Sequence, residues 1–239
     1  MIISKQSDIK HKYEIIKLLT AIVDDTYISQ YIGFKGGTCA EMSGFLDRFS
    51  VDLDFDITKD IDETKFQSSI NKIYSGLNLR LLTKNSDFFY IFKYEAPENQ
   101  RNTLKMSFWK DLAKSNEYEF RSLPDIDRLV KCQTLETMFA NKLVAPIDRF
   151  EKHGEVVGRD IYDIYYFFTK NYKFKPEIIE ERTSLSVNDY LKKLTKFIEK
   201  EITDRIIIED LNTLLPLDRF TKVRKMLKKE VLMFLRSSI

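Results

Sequence analysis

The sequence predicts an α+β fold, with an N-terminal mixed β-sheet and flanking helices followed by a C-terminal helical bundle. In the first half, apolar and polar residues alternate in short segments, as in 103–109, where Leu104, Met106 and Phe108 share one side. Such alternation is typical of strands. In the second half apolar residues recur at helical spacing, as in 132–147. Strands followed by helices are the pattern of α+β proteins rather than of repeated βαβ units.

The composition limits the class of protein. The 239 residues allow one large domain or two small ones, and 7 Gly and 5 Pro are too few for disorder or an all-β sandwich. A net charge of +2 creates no global field for nucleic acid, so any such binding must be local. Two cysteines form no disulfide framework, and no apolar run approaches the ~20 residues that span a bilayer. We expect a soluble, cytoplasmic protein that does not contact membranes.

Local patterns predict the elements of the first half. Two longer helices are expected over 8–29 and 61–74, and a short helix over 38–46. About five strands are expected, over 31–35, 51–57, 78–83, 88–94 and 103–109, with a further short strand near 118–122. Thr38 is a candidate N-cap of the short helix. His11, near the start of the first helix, is expected at the surface.

The polar connection 114–128 is the predicted boundary between two domains, residues 1–128 and 129–239. From Leu129 onward the pattern is helical. Helices are predicted over 132–147, ending at Pro146, and over 161–168, with two or three more to the end of the chain. In the last helix, 218–236, seven basic residues stand against two acidic ones. That helix face is either simply solvated or a local site for RNA phosphates.

Asp52 and Asp54 stand two residues apart inside the strand predicted over 51–57. Residues i and i+2 of a strand point to the same side, so both carboxylates face one way and Asp56 continues the line. Neighbouring carboxylates repel one another and rarely stay together without a cation. Mg²⁺ is usually held by one or two carboxylates together with substrate phosphates. The pair therefore indicates a metal site, and the alternative is a solvated strand face.

A glycine turn, Gly36-Gly37-Thr38, precedes the carboxylate pair. Backbone N–H groups in such a turn can bind phosphate, especially where a helix begins. A lone turn of this kind is usually only a turn. The order of glycine turn, short helix and D-x-D strand is far more specific, and it predicts a metal–nucleotide site.

A second charged cluster lies within residues 142–163. Asp160 and Asp163 stand at i and i+3, on one face of the predicted helix, and Lys142, Arg149 and Arg159 come before them. One interpretation is an ion-pair surface with an aspartate that favours the helix dipole. The other places the lysine and the arginines on nucleotide phosphates, with an aspartate as base or orienting group.

These motifs together resemble the AbiEii/AbiGii toxin branch of the nucleotidyltransferase superfamily that includes DNA polymerase beta. The first part of the match is KGGT at 35–38 followed by RFSVDLDF at 48–55. The second is the strand motif Leu104-Lys105-Met106. The third runs from Lys142 through Ala145 and Arg149 to the RDIYD of 159–163. The resemblance covers about residues 30–170.

The resemblance implies a nucleotidyltransferase with an NTP substrate and Mg²⁺ or Mn²⁺, whose N-terminal domain is catalytic and whose helical domain completes the nucleotide site. The implied metal ligands are Asp52 and Asp54. The implied catalytic residues are Asp52, Asp54, Lys142, Asp160 and Asp163, where either of the last two would orient or deprotonate the acceptor. The implied nucleotide-binding residues are Gly36, Gly37, Thr38, Ser50, Lys105, Lys142, Arg149 and Arg159.

Similar toxins transfer nucleotides to the 3′ end of tRNA in toxin–antitoxin or abortive-infection systems, and a winged-helix antitoxin typically neutralises them. Two alternatives stay open, namely transfer to a small molecule or protein hydroxyl, and a non-catalytic nucleotide-binding interaction module. One departure from the family favours the module. Many polymerase-beta-like enzymes have a third metal carboxylate on a later strand, where this chain has Ser107. That ligand is either missing or supplied elsewhere, with Glu95 and Asp111 as candidates.

Overall fold

The computed structural model describes residues 8–84, 88–98 and 100–239 of the chain. These residues divide into two compact units. Among the described residues, unit 1 draws on 8–44, 49–84, 88–98, 100–112 and 118–133, and unit 2 on 45–48, 113–117 and 134–239. Unit 1 contains the sheet and unit 2 is helical, which confirms the predicted fold class. In the described part of the chain, no helix is long and apolar enough to cross a membrane.

A mixed sheet forms the centre of unit 1, with seven strands among the described residues. They are β1 (Ile32–Lys35), β2 (Asp52–Ile57), β3 (Arg80–Lys84), β4 (Phe89–Lys93), β5 (Thr103–Trp109), β6 (Tyr118–Leu123) and β7 (Arg128–Gln133). Their order across the sheet is β3-β4-β5-β2-β1-β7-β6. β2 runs parallel to β5 and β1 parallel to β7, while the other neighbours are antiparallel.

The sheet has an apolar face and a polar face. On the apolar face Phe55 of β2 lies between Phe34 of β1 and Phe108 of β5, with ring centroids 5.2 and 5.1 Å away. Burial of each such side chain contributes roughly 1.5–3 kcal/mol. Helices α1 (Asp8–Asp24) and α3 (Glu63–Gly76) pack in this unit, and α1 contacts β2, β5 and β7. Because side chains alternate along a strand, the polar residues of β1, β2 and β5 project from the opposite face.

His11 is buried in α1, so the expectation that it lies at the surface is wrong. Its Nε2 donates to the carbonyl oxygen of Val51 at 2.9 Å, and its Nδ1 pairs with the hydroxyl of Tyr94 at 2.7 Å. Burial lowers the pKa of His11 to about 4, so the ring is neutral at pH 7. The histidine thereby ties α1 to the residue that immediately precedes β2.

The β6–β7 hairpin corrects the predicted start of the helical half. The pattern places residues from Leu129 onward in helices, but Arg128–Gln133 form β7. The sheet has seven strands in the described residues, against about five predicted with a further short strand near 118–122, which matches β6. In β7 Val130 and Cys132 are buried while Lys131 between them is half-buried. Six alternating residues directly before a long helix are a weak strand signal. The helix begins only after Thr134, whose side chain accepts from the Thr137 N–H.

Helices make up unit 2, with seven among the described residues. They are α4 (Leu135–His153), α5 (Gly158–Thr169), α6 (Pro176–Thr183), α7 (Val187–Glu201), α8 (Asp204–Leu211), α9 (Leu217–Val223) and α10 (Leu227–Ser237). Five of these follow α5, which is more than the predicted two or three. Side chains of Ser186 and Thr203 cap α7 and α8 by accepting from N–H groups in the first turn.

α4 continues through Pro146, although the sequence predicts that the helix ends there. A proline removes one N–H donor from the helix, so the carbonyl group four residues before it loses its partner. In the same turn the hydroxyl of Tyr190 in α7 contacts the carbonyl oxygens of Leu143 and Val144, at 3.0 and 3.4 Å. The helix that the local sequence would end is thus contacted from a distant helix just before the proline.

The predicted last helix, 218–236, is two helices, α9 and α10, separated by residues 224–226. Several of its basic side chains bind within unit 2, among them Arg219, which pairs with Asp47. Lys228 donates to the carbonyl oxygens of Glu199 and Ile202 at the end of α7, at 3.0 and 2.7 Å, and Arg236 pairs with the Glu199 carboxylate. Some of the basic side chains of this segment therefore bind groups at the C-terminal end of a neighbouring helix.

Candidate functional site

Asp52 and Asp54 lie side by side on the polar face of the sheet, both half-buried, as the two-residue spacing predicts. Register places Asp52 beside Lys105 and Asp54 beside Ser107 on the parallel strand β5. The Ser107 hydroxyl donates to Asp54 Oδ1 at 2.6 Å. Ser107 therefore fixes the rotamer of the aspartate from a strand that is far away in the sequence.

The glycine turn packs directly against this carboxylate pair. Helix α2 (Gly36–Met42) begins at Gly36, whose φ of +80° lies in the left-handed region that favours glycine. A Cβ on Gly36 would also lie only 2.7 Å from Asp54 Oδ2. Only glycine fits here, because any side chain would collide with the aspartate.

Thr38 does not cap this helix, so the predicted N-cap is wrong. The N-cap is Lys35, and it makes no side-chain capping bond. The Thr38 side chain is buried, and its hydroxyl donates to the backbone carbonyl of Asp52. Thr38 thus joins α2 to β2, and its backbone N–H stands with those of Gly36 and Gly37 in the first turn.

Ser50 is also buried, and its backbone N–H donates to Glu41 Oε2 at 2.9 Å. Glu41 lies in α2 and is buried as well. No local pattern singles out Glu41, because a glutamate in a short helix usually faces solvent. The contact anchors the residues just before β2 to the helix that starts at the glycine turn.

Asp56 continues the line of carboxylates but does not share their surroundings. It is fully buried, Lys35 Nζ lies 2.6 Å from its Oδ1, and Oδ2 accepts from Tyr118 Oη and Gln133 Nε2, both at 2.7 Å. Side chains from β1, β6 and β7 thereby meet at one carboxylate of β2. Asp56 is a structural anchor of the polar face, and the metal-ligand role suits the half-exposed pair before it.

The carboxylate pair supplies only part of the oxygen ligands that Mg²⁺ takes. No cluster of three or more His, Cys, Asp or Glu side chains suitable for a metal occurs in the described residues. Of the predicted substitutes for a third carboxylate, both Glu95 and Asp111 are exposed. Two carboxylates completed by substrate phosphates are a common way of holding Mg²⁺. The donor set therefore matches a metal that arrives with a nucleotide rather than one held by protein alone.

In unit 2, a fully buried carboxylate brings together two cations. Asp163 of α5 accepts from Arg48 through Nε at 2.6 Å and Nη2 at 2.8 Å, and Lys142 Nζ of α4 lies 2.7 Å from its Oδ2. Burial alone would raise the pKa of Asp163, but Arg48 and Lys142 outweigh it and hold the pKa below its usual value. The aspartate is therefore ionised and fixes the position of the Lys142 ammonium.

The segment 45–48 belongs to unit 2 although its neighbours in the chain belong to unit 1. Besides the Arg48 pair, the Asp47 carboxylate accepts from the Tyr162 hydroxyl at 2.6 Å and pairs with Arg219. Arg48 is not among the predicted site residues. The one sequence signal for it is its place in the RFSVDLDF string, four residues before Asp52.

The other predicted residues of this cluster are arranged differently. Arg149 Nε donates to Asp160 Oδ2 at 3.0 Å, and Asp160 is almost fully buried. Arg159 is half-buried beside it in α5. The two aspartates thus hold different basic residues, one Arg149 and the other Arg48 with Lys142.

Comparison with known proteins adds the family. The family model described as nucleotidyl transferase AbiEii toxin, type IV toxin–antitoxin system, matches residues 17–231. No curated protein matches the chain. Among solved structures, a candidate nucleotidyltransferase from H. pylori superposes with a TM-score of 0.57 and 19% identity, over 98% of this chain and 99% of its own.

Two further structures share the fold. MenT4, a nucleotidyltransferase toxin from Mycobacterium tuberculosis H37Rv, has a TM-score of 0.56 and 14% identity, over 96% of this chain and 84% of its own. JHP933 from Helicobacter pylori has a TM-score of 0.52 and 18% identity, over 99% and 96%. At these identities the likeness concerns the fold. Because the family model extends over residues 17–231, the chain belongs to the AbiEii family of nucleotidyltransferase toxins and is a nucleotidyltransferase.

Proposed function

We propose that this enzyme transfers a nucleoside monophosphate from an NTP to a hydroxyl at the end of an RNA, with tRNA as the preferred acceptor, and that it requires Mg²⁺. The observation that carries the proposal is the packing of the glycine turn against Asp54, with Asp52 beside it on the same strand face. This packing supports the proposal because backbone N–H groups that would bind phosphate lie next to carboxylates that would hold a metal.

Asp52 and Asp54 would hold the metal. When bound, Mg²⁺ supplies positive charge to the phosphate oxygens and lowers the pKa of the attacking hydroxyl. Mn²⁺ suits the same hard oxygen ligands. Ser107 keeps the Asp54 carboxylate oriented through Oδ1, and the glycine turn borders Oδ2. The role of the protein is to fix these two carboxylates before the nucleotide arrives.

The triphosphate would be bound by the backbone of the glycine turn, Gly36-Gly37-Thr38, and by Ser50. In this proposal the Thr38 and Ser50 contacts within unit 1 fix the backbone of the turn and of the segment before β2. Lys105, exposed on β5 in register with Asp52, would add a cation on the polar face. Electrostatic positioning of this kind is the main contribution of proteins to phosphoryl transfer.

Lys142 would neutralise charge that builds on the departing pyrophosphate, with Arg149 and Arg159 assisting. The sequence predicts that Asp163 orients or deprotonates the acceptor. Its contacts favour a third role instead, in which it positions Lys142. A base must reach the proton that it removes, whereas both Asp163 oxygens contact cations and the residue is fully buried. Asp160, which binds Arg149, would position that arginine in the same way.

A toxin of this family would be opposed in the cell by an antitoxin encoded beside it, and we propose that a winged-helix protein has this role. The interaction would regulate when nucleotides are transferred. Co-expression of the toxin with the product of the adjacent gene, scored by cell growth, tests this partnership.

The reaction is tested by incubating the full chain with total tRNA, Mg²⁺ and each labelled NTP in turn. We expect label on RNA from one NTP, and Asp54→Asn should reduce it more than about 10²-fold, because phosphoryl transfer depends chiefly on neutralising the charge of the transferred group. Glu119→Gln, an exposed carboxylate of β6, is the matched control. Mg²⁺-dependent NTP binding without labelled RNA would redirect the search to small-molecule or protein hydroxyls.

A further inference from the structure

A row of alternating aromatic and lysine side chains crosses the polar face of unit 1. Strand register aligns Trp109 of β5 with Asp56, Asp56 with Gly33, and Lys131 of β7 with Phe120 of the edge strand β6. The pairing of Phe34 with Cys132 places Gly33 beside Lys131 and completes the line. We call Trp109, Lys35, Tyr118, Lys131 and Phe120 the aromatic–lysine row. With about 4.8 Å between strands, four spacings give a row of roughly 19 Å.

Tyr118 closes the middle of this row by reaching across β7. A Cβ on Gly33 would lie 2.5 Å from two carbon atoms of the Tyr118 ring, so the ring occupies the space above that glycine. The hydroxyl of Tyr118 donates to the buried Asp56. The ring is therefore fixed on the sheet, and a glycine at position 33 is required for it to lie there.

Cations stand between the rings. Lys35 Nζ lies 5.2 Å from the centroid of the Trp109 ring, and Lys131 Nζ lies 5.0 Å from that of Tyr118. Lys131 donates to the neutral Thr58 hydroxyl at 2.8 Å. Burial is the main cause of the lowered pKa of Lys131, and the neighbouring Lys59 ammonium lowers it further.

The row is accessible at both ends. Trp109 is 48% exposed and Phe120 is 69% exposed. A groove of about 700 Å³ adjoins it; its lining includes Thr58, which Lys131 contacts, and Lys110, which follows Trp109. Exposed aromatic rings beside lysines offer a ligand both stacking surfaces and positive charge.

The row is also connected to the carboxylate pair. The Trp109 indole Nε1 donates to the Ser107 hydroxyl at 2.9 Å, and the same hydroxyl donates to Asp54 Oδ1. A ligand lying along the row would therefore end beside Asp54. This connection favours a nucleic acid over a protein, because the end of the acceptor must reach the carboxylates and its phosphates need cations at intervals.

We propose that the aromatic–lysine row binds the single-stranded end of the acceptor RNA, with bases stacked on Trp109 and Phe120 and with Lys131 facing its phosphates, while Lys35 stays paired with Asp56. The proposal rests on the proposed function for the class of acceptor and adds where the acceptor lies. Single-stranded nucleic acids are commonly held by aromatic rings that stack bases beside a basic track. Base stacking tolerates any sequence, so the row would set affinity rather than sequence choice.

Binding can be measured without catalysis, because Trp109 is the only tryptophan of the chain. We expect its fluorescence to be quenched when the full chain is titrated with a short single-stranded RNA in the absence of NTP and Mg²⁺. Phe120→Ala should weaken binding roughly 5- to 150-fold, the usual effect of removing one stacking ring. Lys131→Ala should weaken binding and make its dependence on salt less steep.

Tyr13→Ala is the matched control. Tyr13 is an exposed aromatic side chain of α1 with the ammonium groups of Lys10 and Lys17 each 5.3 Å from its ring, but it lies outside the row. If Phe120→Ala weakens RNA binding no more than Tyr13→Ala, the proposal is wrong. Self-association that is lost in Phe120→Ala, with RNA affinity unchanged, would also overturn it and identify a protein contact.

The two proposals fail in different ways. RNA binding that depends on Phe120 and Lys131, without nucleotide transfer to any RNA, supports the row and contradicts the RNA acceptor. Transfer to RNA with an unchanged KM for RNA in Phe120→Ala supports the acceptor and contradicts the row. Labelled-RNA anisotropy with Trp109→Ala provides a second measurement, which should show the same loss of affinity as Phe120→Ala.

Discussion

At the scale of single residues, Gly36 shows how one backbone position limits the site. Its φ of +80° is unfavourable for any residue with a side chain, and the adjacent Asp54 oxygen leaves no room for one. The two constraints are independent, since one is conformational and the other is steric. A glycine that satisfies both links the shape of the turn to the orientation of the carboxylate.

Gly36→Ala tests this link. We expect the free energy of unfolding to fall by at least about 1 kcal/mol, from the left-handed backbone alone, and NTP binding to weaken as the turn or Asp54 moves. Urea denaturation and equilibrium NTP titration measure the two effects. Gly76→Ala is the control, because no atom lies within 4 Å of the added methyl group and the site is a helix end. Equal NTP affinity in both variants would contradict the assigned role of the turn.

At the scale of elements, Asp163 joins three parts of unit 2, namely α4, α5 and the segment 45–48. Its carboxylate is fully buried, and the side chains of Arg48 and Lys142 are 4% and 15% exposed. Charges buried to this degree are costly unless each has a partner. The arrangement therefore depends on all three members, and loss of the single anion leaves two cations facing each other.

Asp163→Asn keeps the shape of the side chain and removes its charge. We expect unit 2 to lose about 3–5 kcal/mol of stability, the usual cost of breaking a buried ion pair. Asp148→Asn removes an exposed ion pair with Lys152 and Arg182, and should change stability by less than about 1 kcal/mol. Chemical denaturation followed by circular dichroism compares the two. Similar losses in both variants would show that burial does not matter here.

At the scale of the whole molecule, the pH dependence of stability should reflect His11. Its pKa is about 4 in the folded state, because burial disfavours the charged ring, against about 6.5 in an unfolded chain. Between these values the unfolded state binds more protons, so stability falls as the pH is lowered from about 6.5 to about 4. The total contribution of His11 across this window is about 3 kcal/mol, and it is fully present above pH 6.5.

The histidine content makes this prediction easy to test, since the chain has 2 His. We expect denaturation midpoints to decline across the window in wild type and in His153→Gln, whose site is exposed, and to decline less in His11→Gln. The expected difference is in the slope of the denaturation midpoint against pH, because His11→Gln itself also lowers stability at neutral pH. Parallel slopes in the three proteins would exclude His11 as the titrating group.

Several parts of the fold could be predicted from local patterns because the signal was local. The alternation in 103–109 matches β5, and the D-x-D segment matches β2. The failures have a common cause. β7 lacks a strong local strand signal, and α4 continues through Pro146, where Tyr190 contacts the preceding turn from another helix. Neither the pairing of β7 in the sheet nor the contact from Tyr190 can be recognised within a window of neighbouring residues.

The sequence by itself determined the fold class, the family and the two segments that carry the glycine turn and the carboxylate pair. These depend on spacing along the chain, which covalent geometry converts directly into a shared strand face or a turn. Only the tertiary structure decided which partners these residues have. Ser107 meets Asp54 across 53 residues, and Arg48 meets Asp163 across 115. Such pairs follow from strand order and from the burial of charges, which act on segments far apart in the chain.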